Sequence, residues 1–421
     1  MTKVTGWLAA FAAAVAAAGM TQQAIPVRQL SPAEATSAAP IGFGTAIELS
    51  DGRVLYNDRG TFGNPRLFLF DAALATPKTV GDSTTLTTGS RRNYGFVAIP
   101  FRADSTVLAD PNGNTLIVLD ANGKNANVMT MPRPTDAGSI AAGNGFDQKM
   151  RLIFRGSFPR PPLRPAPGGA FSIPPLPDTF PIVRADFDSR AIDTLATIRL
   201  VTGQSVSTSM SPSAPNRMLT KIVRQPLPTT DDWTVLSDGT VAIVRGQDYH
   251  VDWIHPDGTK SSTLKMAFDW RRVTDEEKQH IVDSLLARDA KDKIRSDSVY
   301  AARGQTSPLS SIATEYVPLK EMPDYYPPIR TGSVVADRDA NLWILPTTST
   351  QAKGGLLYDV VNARGGLFER VQLPHDCALA GFGNKSAIYL ACSEKAAGDT
   401  ASKTFLKRMR ILRPTTKSQH N

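Results

Sequence analysis

The sequence predicts an all-β fold, a six-bladed β-propeller of four-stranded antiparallel blades, and three observations predict it. The stretch "LSDG" occurs twice, at residues 49–52 and 236–239, each time between apolar runs. Asp-Gly in that setting is a strong hairpin signal, because a tight primed turn needs positive φ at its centre. The hairpin also recurs in weaker form, to a total of six. Each hairpin leads into a third strand and, in most units, a short fourth. Four-stranded units repeated around an axis build a propeller.

The units follow in order. The first hairpin is "AIELSDGRVLY", with "RLFLFDAA" after it. The second, "VAIPFRADSTVLAD", turns at Asp104-Ser105 and continues into "TLIVLDANG" and "NANVMTMP". The third, "NGFDQKMRLIF", turns at Asp147-Gln148 and continues into "FPIVRADFDSR" and "IDTLATIRL". The fourth is "WTVLSDGTVAIV", with "HVDWIHPDG" and "STLKMAF". The fifth, "SVVADRDANLWIL", turns at Asp339-Ala340 and precedes "GLLYDVVNARG" and "LFERVQLP". The sixth, "CALAGFGNKSAIYLAC", turns at Gly383-Asn384 and precedes "TFLKRMRIL". Small apolar residues at the start of the fifth and sixth units suit an innermost strand. The sixth unit lacks a fourth strand before the chain ends. The segment "AIPVRQLS", residues 24–31, looks like "FERVQLP" and is expected to supply it, closing the ring and covering an open sheet edge.

The stretch "DRDANLWIL" resembles the Asp-x-x-Gly-Asn-Leu-Trp-Ile hairpin of NHL-like and related six-bladed bacterial propellers. Ala340 stands where that pattern has Gly, which makes the turn atypical. The resemblance implies an exported six-bladed propeller of the TolB/NHL-like kind. It implies no single activity, since that fold hosts sensors, binders, lyases and lactonases.

Residues 1–18 read as a signal peptide. Lys3 precedes the apolar run "VTGWLAAFAAAVAAAGM", too short to span a bilayer comfortably, and small residues offer cleavage near Ala18 or Ala24. An uncleaved anchor is the alternative. Residues 24–414 form the propeller and 415–421 a disordered tail. The protein is expected to be periplasmic or extracellular and monomeric. Cys377 and Cys392, the two cysteines, suggest a disulfide in that compartment, against the alternative of two buried thiols. The 421 residues carry a formal net charge of +8, spread along the chain. No nucleic-acid-binding motif accompanies it, and none is expected to bind.

Two insertions interrupt the repeat. Residues 157–181 are rich in proline and read as an extended segment laid on the propeller, with "RPPLRP" as a superficial polyproline ligand. Residues 270–328 carry a helix opened by the capping box Thr274-Asp275-Glu276-Glu277. Ile281, Val282, Leu285 and Leu286 form its apolar stripe, so its first half is expected to dock and its second half to be solvated. Naming the strands A to D outward from the axis, A–B and C–D turns share one face of the disc. B–C and D–A connections share the other. Both insertions therefore emerge on the same face, and binding residues usually sit on loops of a rigid scaffold.

That face is expected to carry Arg59, Arg92, Arg155, Arg245 and Arg330, with Tyr94, Tyr325 and Tyr326 beside them. Guanidinium groups with paired donors suit an anionic small molecule or glycan, or an acidic protein partner. The plainer alternative pairs these arginines with Asp58, Asp231, Asp232 and Asp324. No catalytic residue, metal site or cofactor is expected. The five histidines, at 250, 255, 280, 375 and 420, show no ligand spacing. Residues 110–121 have the oxygen spacing of a calcium loop but end in Ala121 rather than Glu. Ser262-Thr263-Leu264-Lys265 matches a nucleophile pattern by chance frequency and lies on a strand. The sequence thus favours a binding propeller. The alternatives are a metal-dependent lyase or hydrolase using the central channel and a structural module of the cell envelope.

Overall fold

The computed structural model describes residues 25–59, 66–82, 97–110, 115–133, 136–140, 144–157, 164–165, 171–172, 177–200, 205–211, 214–395 and 402–413. Six sheets, each with an antiparallel core, follow one another along the chain. Blade one runs Gly44–Glu48, Val54–Asp58, Arg66–Phe70 and Lys78–Asp82. Blade two runs Val97–Pro100, Thr106–Asp110, Thr115–Leu119 and Asn125–Thr130. Blade three runs Asn144–Phe146, Leu152–Arg155, Thr179–Ala185 and Ile192–Arg199. Blade four runs Asp232–Val235, Val241–Arg245, His250–Ile254 and Lys260–Ser262. Blade five runs Val334–Ala336, Leu342–Ile344, Leu357–Val361 and Leu367–Gln372. Blade six begins Cys377–Phe382, Ala387–Glu394 and Lys403–Arg410. The predicted propeller is therefore the fold.

The blades cohere through apolar clusters at their boundaries. Between blades three and four, Ile153, Ile182 and Ile198 meet Trp233, Val241 and Ile243, all nearly or wholly buried. Between blades five and six, Trp343, Val360 and Val371 meet Ile388, Leu390 and Met409. The period of two along each strand turns one row of side chains toward each neighbouring blade.

The A–B turns differ from the expected two-residue primed form. The N–H of Leu49 donates to the carbonyl of Arg53, and that of Leu236 to Thr240, both at 2.8 Å. Three residues therefore make each loop, and only Gly52 (φ 85°) and Gly239 (φ 86°) are left-handed. This is a type I turn followed by a bulge residue. The same closure joins Asp147 to Arg151 and Asp337 to Asn341. There the left-handed residues are Met150 (φ 59°) and Ala340 (φ 57°). In both, an Asp opens the loop and its Oδ1 accepts two backbone N–H groups, from Lys149 and Arg151 or from Asp339 and Asn341. Those bonds offset the left-handed strain, so the glycine signal is absent while the turn persists.

Ring closure also departs from expectation. Val27–Arg28 does not complete blade six; it pairs parallel to the outer strand of blade five, Val27 opposite Arg370. The missing strand is Ala35–Thr36, antiparallel to Lys403–Arg410. The segment resembling "FERVQLP" lies beside that strand at Val27–Arg28, while its end does reach blade six, where Leu30 bridges Ile411 and the N–H of Ser31 donates to the carbonyl of Arg410. The N-terminal chain thus stitches blade five to blade six before entering blade one.

A seventh sheet was not foreseen. Its strand order is Arg164–Pro165, Phe171–Ser172, Ser205–Ser211, Ala214–Arg224 and Ile312–Tyr316. It draws on the proline-rich insertion, the connection from blade three to four, and the connection from blade four to five. All three are B–C or D–A connections, so the sheet belongs to the face assigned to the insertions. The insertion read as a plain extended segment therefore contributes two short strands.

The helix spans Asp275–Ala301, with both bonds of the predicted capping box present. Ile281 and Val282 pack on Leu227, Val273 and Met322. Ile294 is 70% exposed, as expected of the solvated half, but Leu286 is also exposed and leaves the predicted stripe. Cys377 and Cys392 form the disulfide. They sit directly opposite on the first two strands of blade six. Replacing both by Ala reopens a loop with a sequence separation of 15 residues. Urea unfolding should show a loss of about 3 kcal/mol, with an unchanged far-UV spectrum.

Candidate functional site on the insert-bearing face

The insertions meet each other as well as the propeller. Asp289 on the helix accepts from the Tyr316 hydroxyl at 2.8 Å and faces Arg224 at 3.9 Å, tying the helix to two strands of the seventh sheet. Ser296 and Ser307 join their hydroxyls at 2.7 Å. Lys278, 3% exposed, donates to the carbonyl of Met322 and to Asp324 Oδ1. A buried ammonium needs such partners, because desolvation without them is costly. These contacts fix the helix against the segment that returns to blade five.

Arg245 ends the second strand of blade four. Its Nε donates to Asp252 and its Nη1 to Asp231, both at 2.7 Å. Nη1 also reaches the carbonyl of Thr197 on the outer strand of blade three. Burial pulls its pKa down, but the bonds and charges of Asp252 and Asp231 outweigh this and raise it. The chain of contacts continues outward. Asp252 meets His250 Nε2 at 3.2 Å, and Asp248 meets His250 Nδ1 at 2.6 Å. His250 and Asp252 alternate on one side of their strand, and Asp248 reaches His250 from the turn before it. Asp231 also accepts from the N–H of Arg199 and of Gly246, so it clamps three segments at this rim.

Arg155 faces the same boundary from blade three. Its guanidinium lies over an aromatic face, 5.2 Å from the centroid of Phe180. Burial lowers its pKa, and its Nε has no hydrogen-bond partner. Arg59, after the second strand of blade one, is exposed, with its backbone N–H on the carbonyl of Phe43. Beside it, Asp58 pairs with Arg66 rather than Arg59. Arg330, just before blade five, is exposed. Tyr325 is exposed, and Tyr326 lies under Arg271 at 4.4 Å. Arg92 and Tyr94 lie outside the described residues. The arrangement thus brings Arg155 and Arg245 to one blade boundary and Tyr325, Tyr326 and Arg330 to one connection. Among the described residues, no group of three or more His, Cys, Asp or Glu is placed to hold a metal ion.

Asp232 opens blade four beside Asp231. Its Oδ2 accepts from the N–H of Val334 at 2.8 Å, holding the returning chain at the start of blade five. Burial pushes its pKa up to about 7, against the pull of backbone N–H groups of Val334, Gly332, Trp233 and Ser333.

Sequence reasoning missed Trp270, 42% exposed at the base of the helical insertion. It had been covered by the insertion's outline; the signal was an aromatic flanked by the charged "DWRR" run.

Two outcomes are expected. Arg245→Met leaves Asp231 and Asp252 without their cation. Because Asp231 is buried while Arg245 and Asp252 are partly solvated, the loss in urea unfolding should be about 1–3 kcal/mol. For Asp232, the folded-state pKa lies above the unfolded one. Its stabilising contribution is therefore full below about pH 4 and lost as pH rises through about 7. Asp232→Asn, which stays neutral, should gain stability relative to the parent protein as pH is raised from 5 to 8. A constant difference across that range contradicts the assignment.

No protein-family model matches the chain. No curated protein matches it either. Solved structures do resemble it. A member of the DUF4221 family from Bacteroides vulgatus is 10% identical, covering 92% of this chain and 99% of that one, with a TM-score of 0.44. A gluconolactonase from Xanthomonas campestris is 11% identical, covering 91% and 99%, with a TM-score of 0.39. Virginiamycin B lyase from Staphylococcus aureus is 9% identical, covering 90% and 98%, with a TM-score of 0.39. These are likenesses only; the six-bladed β-propeller is shown by the chain's own sheets.

Proposed function

We propose that this chain is an exported binding protein that holds an anionic ligand, a small molecule, glycan or acidic peptide, on its insert-bearing face. The observation that carries this reading is the convergence of three separate excursions into one sheet-and-helix layer beside blades three to five. Such a layer costs conformational entropy, and a propeller does not need it to close. Loops and additions on a rigid scaffold are where recognition usually resides. The exposed Arg59, Arg330 and Tyr325 supply contacts. Arg155 adds a guanidinium whose Nε lacks a partner. Arg92 and Tyr94, outside the described residues, are further candidates from the sequence. Arg245, held between two carboxylates, acts as a positioning residue at the rim. The disulfide supports an oxidising compartment, in keeping with the N-terminal apolar run.

Thermal unfolding with a panel of anionic oligosaccharides and acidic peptides tests the reading. A ligand at a hundred times its Kd stabilises by about 2.7 kcal/mol, a readily measured rise in Tm. The double variant Arg59→Ala/Arg330→Ala should lose that rise while keeping its own Tm. A rise of equal size in the double variant, or one produced only by neutral compounds, contradicts the proposal.

A further inference from the structure

The two ends of the helical insertion pair with each other at its base. The N–H of Val273 donates to the carbonyl of Asp324, and that of Tyr326 to Arg271. These bonds flank Arg272 and Tyr325, which form the bridge between the segments. Arg272 and Tyr325 are therefore a non-hydrogen-bonded antiparallel pair, the kind that brings side chains closest. Trp270 precedes this pair at the centre of a tight turn, in which the N–H of Arg271 donates to the carbonyl of Asp269 at 2.9 Å. The other side carries Arg271 over Tyr326 and Val273 in the apolar cluster beneath the helix. One side of this ribbon is thus docked, and the ribbon's exposed residues include Trp270, Arg272 and Tyr325.

All three are exposed: Trp270 by 42%, Tyr325 by 49%, and Arg272. Of the described tryptophans only Trp270 is exposed, the other three being 5% or less. It is also held in place. Its ring meets Phe268 at 5.1 Å, and Phe268 meets Tyr249 at 5.4 Å, Tyr249 being fully buried and bonded to Asp359. An exposed tryptophan anchored through two rings to a blade boundary loses little freedom on binding. Arg271 is occupied by Glu277, whereas Arg272 has no ion pair among the described residues, and Arg330 is exposed a short way after Tyr325 in the chain. Two acidic residues of the ribbon are exposed, Asp269 and Asp324, and Asp324 is engaged by Lys278.

We infer that this ribbon is a stacking platform for an acidic polysaccharide, which rests on the binding reading above and adds its ligand class. Two half-exposed aromatic rings offer roughly 200 Å², well short of the ~800 Å² per partner that a stable protein interface buries. The ligand is therefore narrow and linear. Aromatic faces carry negative charge density and attract the weakly polarised C–H faces of sugar rings. The Arg272 guanidinium takes a uronate carboxylate through paired donors.

Affinity electrophoresis of the full chain through gels holding polygalacturonate tests this, with dextran and polyglutamate gels in parallel. Retardation by polygalacturonate alone is expected, along with quenching of tryptophan fluorescence by the soluble polymer. Trp270→Ala and Arg272→Ala should each weaken retardation by roughly tenfold, and Trp270→Phe should retain most of it; all three keep the parent Tm. Equal retardation by dextran removes the need for the acid and overturns the inference. Retardation by polyglutamate but not polygalacturonate assigns the platform to an acidic peptide and overturns it too. Retardation that survives both alanine variants but is lost in Arg59→Ala/Arg330→Ala moves the site elsewhere on the face, leaving the binding reading intact and this one wrong.

Discussion

Alternation of strand direction within each blade is the constraint on which the rest depends. Once four strands pair antiparallel, every A–B turn must lie on one face and every B–C and D–A connection on the other. The long excursions at residues 157–181, 201–224 and 263–331 are all of the second kind. They therefore meet, and they build a shared sheet from strands far apart in sequence. The short turns of the opposite face instead lock neighbouring blades. Asp104 accepts from the N–H and hydroxyl of Ser50, and Arg338 reaches Phe382, Asn384 and the carbonyl of Glu48.

The division of labour between faces follows from where polar groups find partners. On the tight-turn face, Glu48 is buried and accepts from the Tyr389 hydroxyl and the N–H of Asn384, joining the last blade to the first. On the insert-bearing face, Asp231 and Asp232 hold the chain where it leaves and re-enters the ring. Carboxylates buried at such rims are stabilised by backbone N–H donors and by nearby guanidinium groups. What they leave unengaged is the outer side of the paired ribbon at the helix base, and it is aromatic and cationic there.

The fold was largely legible because its period is local. Hairpins, apolar alternation and the capping box at Thr274 each leave a signature within a dozen residues. The seventh sheet left a fainter one. Residues 205–211, "SVSTSMS", alternate weakly and carry no turn residue of the Asp-Gly kind, and the next strand of the sheet, Ala214–Arg224, takes its second partner from far along the chain, Thr220 lying opposite Ile312. The arginines were found by their position after a strand, but sequence position does not tell which carboxylate each meets. Asp231 was among the acids weighed for Arg245, and it does meet it; Asp58 meets Arg66 instead. Trp270 escaped because a lone aromatic inside an insertion reads the same whether it is buried or exposed.

The measurement that bears most directly on this account is hydrogen exchange with and without a saturating anionic ligand. Protection should concentrate in residues 269–273 and 324–331 on the insert-bearing face, with the turns at residues 50–53 and 237–240 unchanged. Protection centred on those turns would place the site on the opposite face and contradict the account.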